Sequence, residues 1–412
     1  MLKGKVVVLG VTGSIAAYKI AGLASALKKL DTEVHALMTQ NAVHFISPVT
    51  FETLTGNKCL IDTFDRNFEY SVEHVALAKR ADVVLVAPAT ANVIAKLAHG
   101  LADDMLTTTV LACTCKKLVS PAMNTNMYRN PAVQDNLRRL RELDFEVIEP
   151  DAGYLACGDT GEGKMPSEGD LLEYLLREIA FPKDLAGTRV LVTAGATRER
   201  LDPVRFLSNH STGKMGYALA RHCMQRGARV TLISGAAQIP PPPFVDFIPV
   251  TDAQEMLEAV RERAEAQDII IKAAAVADYT PVSCSRQKLK KQDRALTLEL
   301  KRTPDILAFL GENRRPGQLL CGFSMETKRL EENSRAKLER KNLDMVVANN
   351  LLEPGAGFGC DTNVVTVITR EGDARLPQMS KHEVAKEVVD RILALRAASE
   401  SHDAVLKEED TI

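Results

Sequence analysis

The sequence predicts an α/β protein made of two Rossmann-like, doubly wound domains with largely parallel sheets. Two runs carry this expectation. Lys5–Gly10 and Arg189–Gly195 are almost continuously apolar and each ends in glycine, as a strand buried on both faces does. After each run, helical patterns alternate with further short apolar strands, the order that sets parallel strands side by side.

In the first half, a helix is expected from Ser14 to about Lys29, followed by strands at Glu33–Met38 and Ala81–Ala87. Shorter strands follow at Lys117–Ser120 and Phe145–Ile148, with a helix at Asp170–Ile179. Phe181–Gly187 holds a turn-forming proline and a closing glycine and reads as a linker. In the second half, a helix over Lys214–Arg226 precedes a strand at Ala228–Ser234, and Pro240–Pro243 forms a stiff extended loop. Helix Ala253–Ala266 leads to strand Asp268–Ala275, with later strands at Leu319–Phe323 and Leu343–Ala348. Val364–Thr369 reads as a hairpin arm, and a last helix spans about Lys381–Ala397. The expected domains are 1–181 and 188–398, joined by 182–187, with 399–412 a frayed polar tail.

Basic and acidic residues nearly cancel, 52 against 54, so the basic excess of a nucleic-acid or membrane-surface binder is missing. No apolar run approaches the roughly 20 residues of a membrane span. Met1–Val6 runs straight into a strand pattern rather than a signal peptide. Eight cysteines without a CxxC pair suit a reducing compartment. The expectation is a cytoplasmic enzyme of small molecules, with no nucleic-acid or membrane partner.

Gly10-Val11-Thr12-Gly13-Ser14-Ile15 joins a strand to a helix, where glycine lets the backbone approach an anion and free N–H groups await it. The alternative reading of the segment alone, the less favoured of the two, is a tight turn with no ligand. The next strand ends Leu37-Met38-Thr39-Gln40, without the acid that grips the ribose 2'-OH of a dinucleotide. FMN has no adenosine ribose, so this omission favours FMN over NAD and argues against a dehydrogenase. Pro88-Ala89-Thr90-Ala91-Asn92 follows the third strand, where small side chains leave room for a flat ring and Thr90 and Asn92 offer hydrogen bonds.

With Ala102–Thr107 and Pro121-Ala122-Met123-Asn124-Thr125-Asn126-Met127, these segments resemble the FMN-dependent cysteine decarboxylase family over residues 3 to about 180. The resemblance implies FMN contacts at Gly13, Ser14, Ile15, Thr39, Pro88, Thr90 and Asn92. It implies His74 as catalytic base, Asn124 as the residue binding the substrate carboxylate, and Cys157, in the flap Gly153–Gly158, as catalytic acid. Lys164 stands where the family usually has arginine, which keeps the charge and loses the bidentate fork. A flavin serves a reaction without net redox change as follows. Oxidation at the thiol-bearing carbon gives a thioaldehyde that accepts the electrons left by CO2, and the resulting enethiol is then reduced.

Ser211-Thr212-Gly213-Lys214-Met215-Gly216 looks like a P-loop but lacks both the Ser/Thr after Gly-Lys and the earlier glycine. The wider set resembles the phosphopantothenate–cysteine ligase domain over residues 188 to about 397. It comprises Thr193–Thr197, Asp202–Arg205, Ser208–Gly216, Ala273–Asp278, Lys288–Lys291, Lys301–Leu307 and Gly322–Thr327. The resemblance implies CTP with Mg2+ and an acyl-CMP intermediate that the cysteine amine attacks. It places nucleotide contacts at Ala273, Ala274, Ala275, Asp278, Lys288, Pro304, Asp305, Ile306, Leu307, Phe323, Lys337 and Lys341. Lys288 is implied as the neutraliser of transition-state charge, and Asn209 as the residue holding the acyl intermediate. Read without the family, Lys288–Lys291 is a solvated charge run. Lys337 and Lys341, at i,i+4, share one helix face.

The two resemblances together imply amide formation between 4'-phosphopantothenate and cysteine, then decarboxylation. They also imply a homo-oligomer, a dodecamer of flavin-domain trimers and ligase-domain dimers. The rivals are a chain retaining one of the two activities, or a flavin-binding regulatory protein.

Overall fold

The computed structural model describes residues 2–63, 73–156, 158–290, 296–326, 329–350, 353, 355 and 357–409. It divides into two compact units, Met1–Pro182 and Lys183–Ile412.

The first unit holds five strands: β1 (Val6–Val11), β2 (Glu33–Met38), β3 (Val83–Ala89), β4 (Lys116–Pro121) and β5 (Phe145–Val147). They lie in the order β2-β1-β3-β4-β5, every neighbour parallel. β1 and β3 are buried at every position, which is why they read as unbroken apolar runs. Side chains alternate between two cores. Val7, Leu9 and Val11 pack with Ile20, Leu23 and Leu27 of helix Ala17–Lys28. Val6 and Val8 face the opposite layer, with Ile94 of helix Ala91–His99 and Leu137 of helix Pro131–Glu142. A hairpin of β6 (Asp151–Tyr154) and β7 (Thr160–Lys164) stands outside the sheet.

The second unit holds an eight-stranded sheet. Six parallel strands run 246–249, 229–234, 189–194, 269–272, 319–326 and 345–350, and antiparallel strands 365–369 and 373–375 complete one edge. Numbered along the chain within the unit, the parallel order is 3-2-1-4-5-6. One face packs Leu219 and Cys223 of helix Lys214–Gln225 against Val384, Val388 and Ile392 of the last helix. The other face packs Met256 and Val260 with Leu310 and Leu338. Leu185, from the expected linker, is fully buried in this unit, and Arg226 is held between Asp184 and Asp390.

Several boundaries differ from the sequence reading. The first helix starts at Ala17 rather than Ser14, because Gly13–Ala16 forms a turn in which Ser14 N–H bonds Thr12 O. The strand expected to reach Ala275 ends at Lys272; beyond it Ala273 N donates to Thr193 O at the end of strand 189–194, and Ala275 N to Gly195 O in the turn that follows that strand. The last helix continues to Glu409, past the expected end at Ala397, through a stretch with no glycine or proline to stop it.

Gly216 sits inside helix Lys214–Gln225, where an added Cβ would stand 2.5 Å from Ala194 Cβ. In an open helix, alanine would gain about 1 kcal/mol over glycine; here it forces helix and strand apart. Gly216→Ala should lower the urea midpoint of the second unit, a loss of about 1–3 kcal/mol. An unchanged midpoint would contradict the close packing.

Candidate functional site

A doubly wound sheet of order 2-1-3-4-5 sends its chain connections to opposite faces from β1 and β3, which opens a crevice beyond their C-terminal ends. A cavity of about 430 Å³ lies there in the first unit, within the range of small-molecule sites. Its rear is a stitch between the two strand ends. The fully buried Thr12 hydroxyl donates to Pro88 O at 2.6 Å and accepts from Thr90 N at 3.0 Å. Gly13 follows, and a Cβ there would stand 2.7 Å from Asn41 Cβ, so only glycine lets this backbone lie against the loop after β2.

Lys19 and Lys164 line the cavity, and no aspartate or glutamate does so among the described residues. Lys19 donates to Met165 O at 3.2 Å. Ile15, Met123 and Met127 supply apolar wall. Such a lining suits a flat apolar ring with an anionic tail, and it fits FMN. The β6–β7 hairpin contributes Tyr154 and Lys164 and is tied down where Met123 N donates to Gly163 O at 3.1 Å. Gly163 has φ 127°, and a Cβ would fall 2.2 Å from Met123 O. Asn124 uses Oδ1 to accept from Asn126 N at 2.8 Å and Nδ2 to donate to Asp159 at 2.8 Å.

Gly13, Ser14, Ile15, Thr90 and Asn124 thus meet in one cavity. Pro88 lies behind it through the Thr12 stitch, and Thr39 caps the turn after β2 by accepting from Ala42 N at 3.3 Å. Asn92, on the exposed side of its helix, and His74, half-buried on helix Glu73–Arg80, are outside the lining. Cys157 lies outside the described residues, next to the cavity-lining Ala156. Sequence reasoning missed Lys19, whose only local signal is a lysine soon after the Gly13–Ala16 turn.

The second unit repeats the stitch at its own order reversal, between strands 189–194 and 269–272. Thr193 Oγ1 accepts from Ala274 N at 3.2 Å, and Thr197 Oγ1 from Ala277 N at 3.0 Å. Gly195 turns with φ 75°, where a Cβ would meet Ala236 O at 2.7 Å. Asn209 Nδ2 donates to Ala275 O at 2.7 Å, which puts two predicted site residues in direct contact.

Around this edge lies a cluster of charges. Lys272 donates to Ala274 O at 2.9 Å, and Lys337 to Phe323 O at 2.8 Å. Lys341 pairs with Asp305 at 2.5 Å, and Asp305 also caps helix Ile306–Glu312 by accepting from Ala308 N. Burial, then the nearby Lys337, push the Lys272 ammonium down to about 8, and burial also lowers Lys337. Crowded, partly dehydrated ammonium groups of this kind are relieved by an anion. Asp278 fixes the next segment, accepting from Thr303 N at 3.0 Å. The Ile306 and Leu307 side chains are buried in the core, in the first turn of that helix, and Pro304 leads into it. Lys288 is exposed on a separate loop. Among the described residues, no group of three or more His, Cys, Asp or Glu side chains gathers as a metal site. No helix among them is long and apolar enough to cross a membrane.

Residues 1–180 match the family model described as Flavoprotein, and residues 185–395 match the DNA/pantothenate metabolism flavoprotein C-terminal domain. A Bacillus subtilis (strain 168) relative, the coenzyme A biosynthesis bifunctional protein CoaBC, is 48% identical over 401 residues, covering 96% of this chain and 98% of its own. Proteins of the same name from Vibrio vulnificus (strain YJ016) and Escherichia coli (strain K12) are 43% and 40% identical. They cover 96% and 95% of this chain, and 98% and 97% of their own. With both halves matched in order and near full-length identity, the chain belongs to the CoaBC family of bifunctional coenzyme A biosynthesis proteins.

Proposed function

We propose that this chain couples cysteine to 4'-phosphopantothenate at the expense of CTP in residues 188–398, and decarboxylates the product with FMN in residues 1–181. The observation that carries the reading is that one chain holds two stitched order reversals, the first with a cavity lined by Lys19 and Lys164 and the second beside Lys272, Lys337 and Lys341.

In the first crevice, Lys19 and Lys164 draw in the anionic groups, and Ile15, Met123 and Met127 exclude water from a flat ring. When bound, FMN supplies a two-electron acceptor and donor that lets the carboxylate leave as CO2 without a free carbanion. Asn124 receives that carboxylate by exchanging its bond to Asp159 for one to substrate. Cys157 delivers the final proton. His74 acts as base within the oligomer, where a neighbouring copy brings it to the crevice; the proposed assembly is the dodecamer of trimers and dimers.

In the second crevice, Lys337 and Lys341 hold the triphosphate, with Mg2+ arriving on the nucleotide rather than in a resident cage. The Ala273–Ala275 backbone, Asp278 and the Pro304–Leu307 turn position the nucleoside. Asn209 holds the acyl-CMP, and Lys288 neutralises charge as pyrophosphate leaves.

Three outcomes test this. Thr12→Val leaves a buried N–H and a buried carbonyl unpaired, and should weaken FMN binding about tenfold or more, given about 1–3 kcal/mol per orphaned group; flavin fluorescence at wild-type affinity would refute the stitch. Lys288→Gln should cut amide formation by about 100-fold or more while decarboxylation of supplied 4'-phosphopantothenoylcysteine continues. CTP-dependent coupling at the wild-type rate would remove Lys288 from the chemistry. Cys157→Ser should release CO2 yet stall before 4'-phosphopantetheine, and a normal yield by mass spectrometry would rule out its role as acid.

A further inference from the structure

The Lys288 loop is held by a buried carboxylate far away in sequence. Asp202 has a fully buried side chain, and its two oxygens do different work. Oδ1 accepts from Val204 N and Arg205 N, both at 2.8 Å, closing a local turn of the sort Asp and Asn commonly make. Oδ2 accepts from Arg205 Nε at 3.0 Å and Nη2 at 2.6 Å, and from Leu289 N at 3.0 Å. Arg205 Nη2 in turn donates to Leu289 O at 2.7 Å. The two side chains therefore grip both polar groups of the Leu289 backbone. Leu289 N belongs to the peptide that follows Lys288, and Leu289 O to the peptide that precedes Lys290, so two successive peptide planes are set. A second tie lies upstream, where Ser285 N donates to Leu201 O at 3.0 Å.

The local turn accounts for Oδ1 and the ion pair to Arg205 for part of Oδ2; the Leu289 N–H on that same oxygen is the contact no local motif requires. A buried carboxylate with all its partners charged or backbone N–H is costly to place unless each bond is made. Here the second oxygen is shared between Arg205 and a loop 87 residues away. That loop carries the lysine assigned to charge neutralisation, at a spot where a misplacement of about 1 Å costs on the order of 100-fold in rate.

We propose that Asp202, acting with Arg205, is a positioning residue of the ligase reaction that clamps the Leu289 backbone and so aims Lys288 at the triphosphate. This rests on the ligase reading given above. Arg205 orients the Asp202 carboxylate, whose buried oxygens are engaged by Val204, Arg205 and Leu289.

The chemistry of asparagine makes the test specific. In Asp202→Asn, the amide oxygen still closes the local turn. The amide nitrogen, however, replaces Oδ2 and presents a donor to the Leu289 N–H and to the guanidinium. The turn survives and the clamp is lost. In the full chain loaded with FMN, Asp202→Asn should lower kcat for CTP-dependent amide formation by about 10- to 100-fold, with KM for CTP changed less than about threefold. In a Lys288→Gln background, the same substitution should change the residual rate by less than about twofold, because two residues acting through one step do not add. Equal losses in both backgrounds would overturn the proposal, as would a wild-type kcat in the single variant.

Trypsin cleavage after Lys288 and Lys290 under native conditions separates this inference from the reading on which it rests, since it needs no ligation. Cleavage should be at least about tenfold faster in Asp202→Asn, the loop opening locally once its anchor is removed. Equal cleavage rates would overturn the clamp even if the chain ligates; faster cleavage would uphold it even if CTP is not the nucleotide. Should Asp202→Asn lose cooperative unfolding of the second unit, Leu289→Pro takes its place, deleting the N–H that Asp202 accepts and leaving the Asp202–Arg205 pair; the kinetic criteria are the same, and cleavage is scored after Lys290 only, because trypsin does not cut a Lys–Pro bond.

Discussion

Both units are governed by one constraint of parallel sheets: a chain that winds outward in both directions from a central strand must leave a gap where the order reverses. In the first unit the reversal falls between β1 and β3, and in the second between strands 189–194 and 269–272. Helices cover the faces on either side and part at those points. The crevices, their polar linings and their exposed backbone all follow from that gap.

An open gap needs a rear wall, and each unit builds one from a threonine. Thr12 joins the turn after β1 to the segment after β3, and Thr193 joins its strand to Ala274. A hydroxyl can accept and donate at once, so one small side chain satisfies backbone groups that the diverging strands would leave orphaned. Glycine supplies the complementary property. Gly13 and Gly195 stand where a Cβ would collide with a neighbouring loop, which lets bare backbone lie against that loop. Cations gather at both places: Lys19 and Lys164 line the cavity of one unit, and Lys272, Lys337 and Lys341 cluster near the reversal of the other.

Much of this was readable in the sequence because it is local. β1 and β3 are buried on both faces and show as apolar runs, and Gly13, Ser14, Thr90 and Asn124 lie within short segments at strand ends. What was hidden depends on contacts between distant segments. Lys19 belongs to the cavity through Met165, which only the fold brings near. Asp202 looked like part of a motif, yet its second oxygen also holds Leu289, a partner that only the fold brings near. The helix start moved from Ser14 to Ala17 because the Thr12–Ser14 turn made a better local arrangement than a cap. Burial of the Ile306 and Leu307 side chains likewise appears only once the helix they begin is packed.

The central claim is that one chain makes and then decarboxylates the same amide, one step per crevice. The most direct test is a single incubation of the purified, FMN-loaded protein with 4'-phosphopantothenate, CTP, Mg2+ and cysteine labelled with carbon-13 in its carboxyl group. The account predicts unlabelled 4'-phosphopantetheine, labelled CO2 and CMP in equal amounts. Labelled amide accumulating without CO2, or no amide at all with CTP, would contradict it.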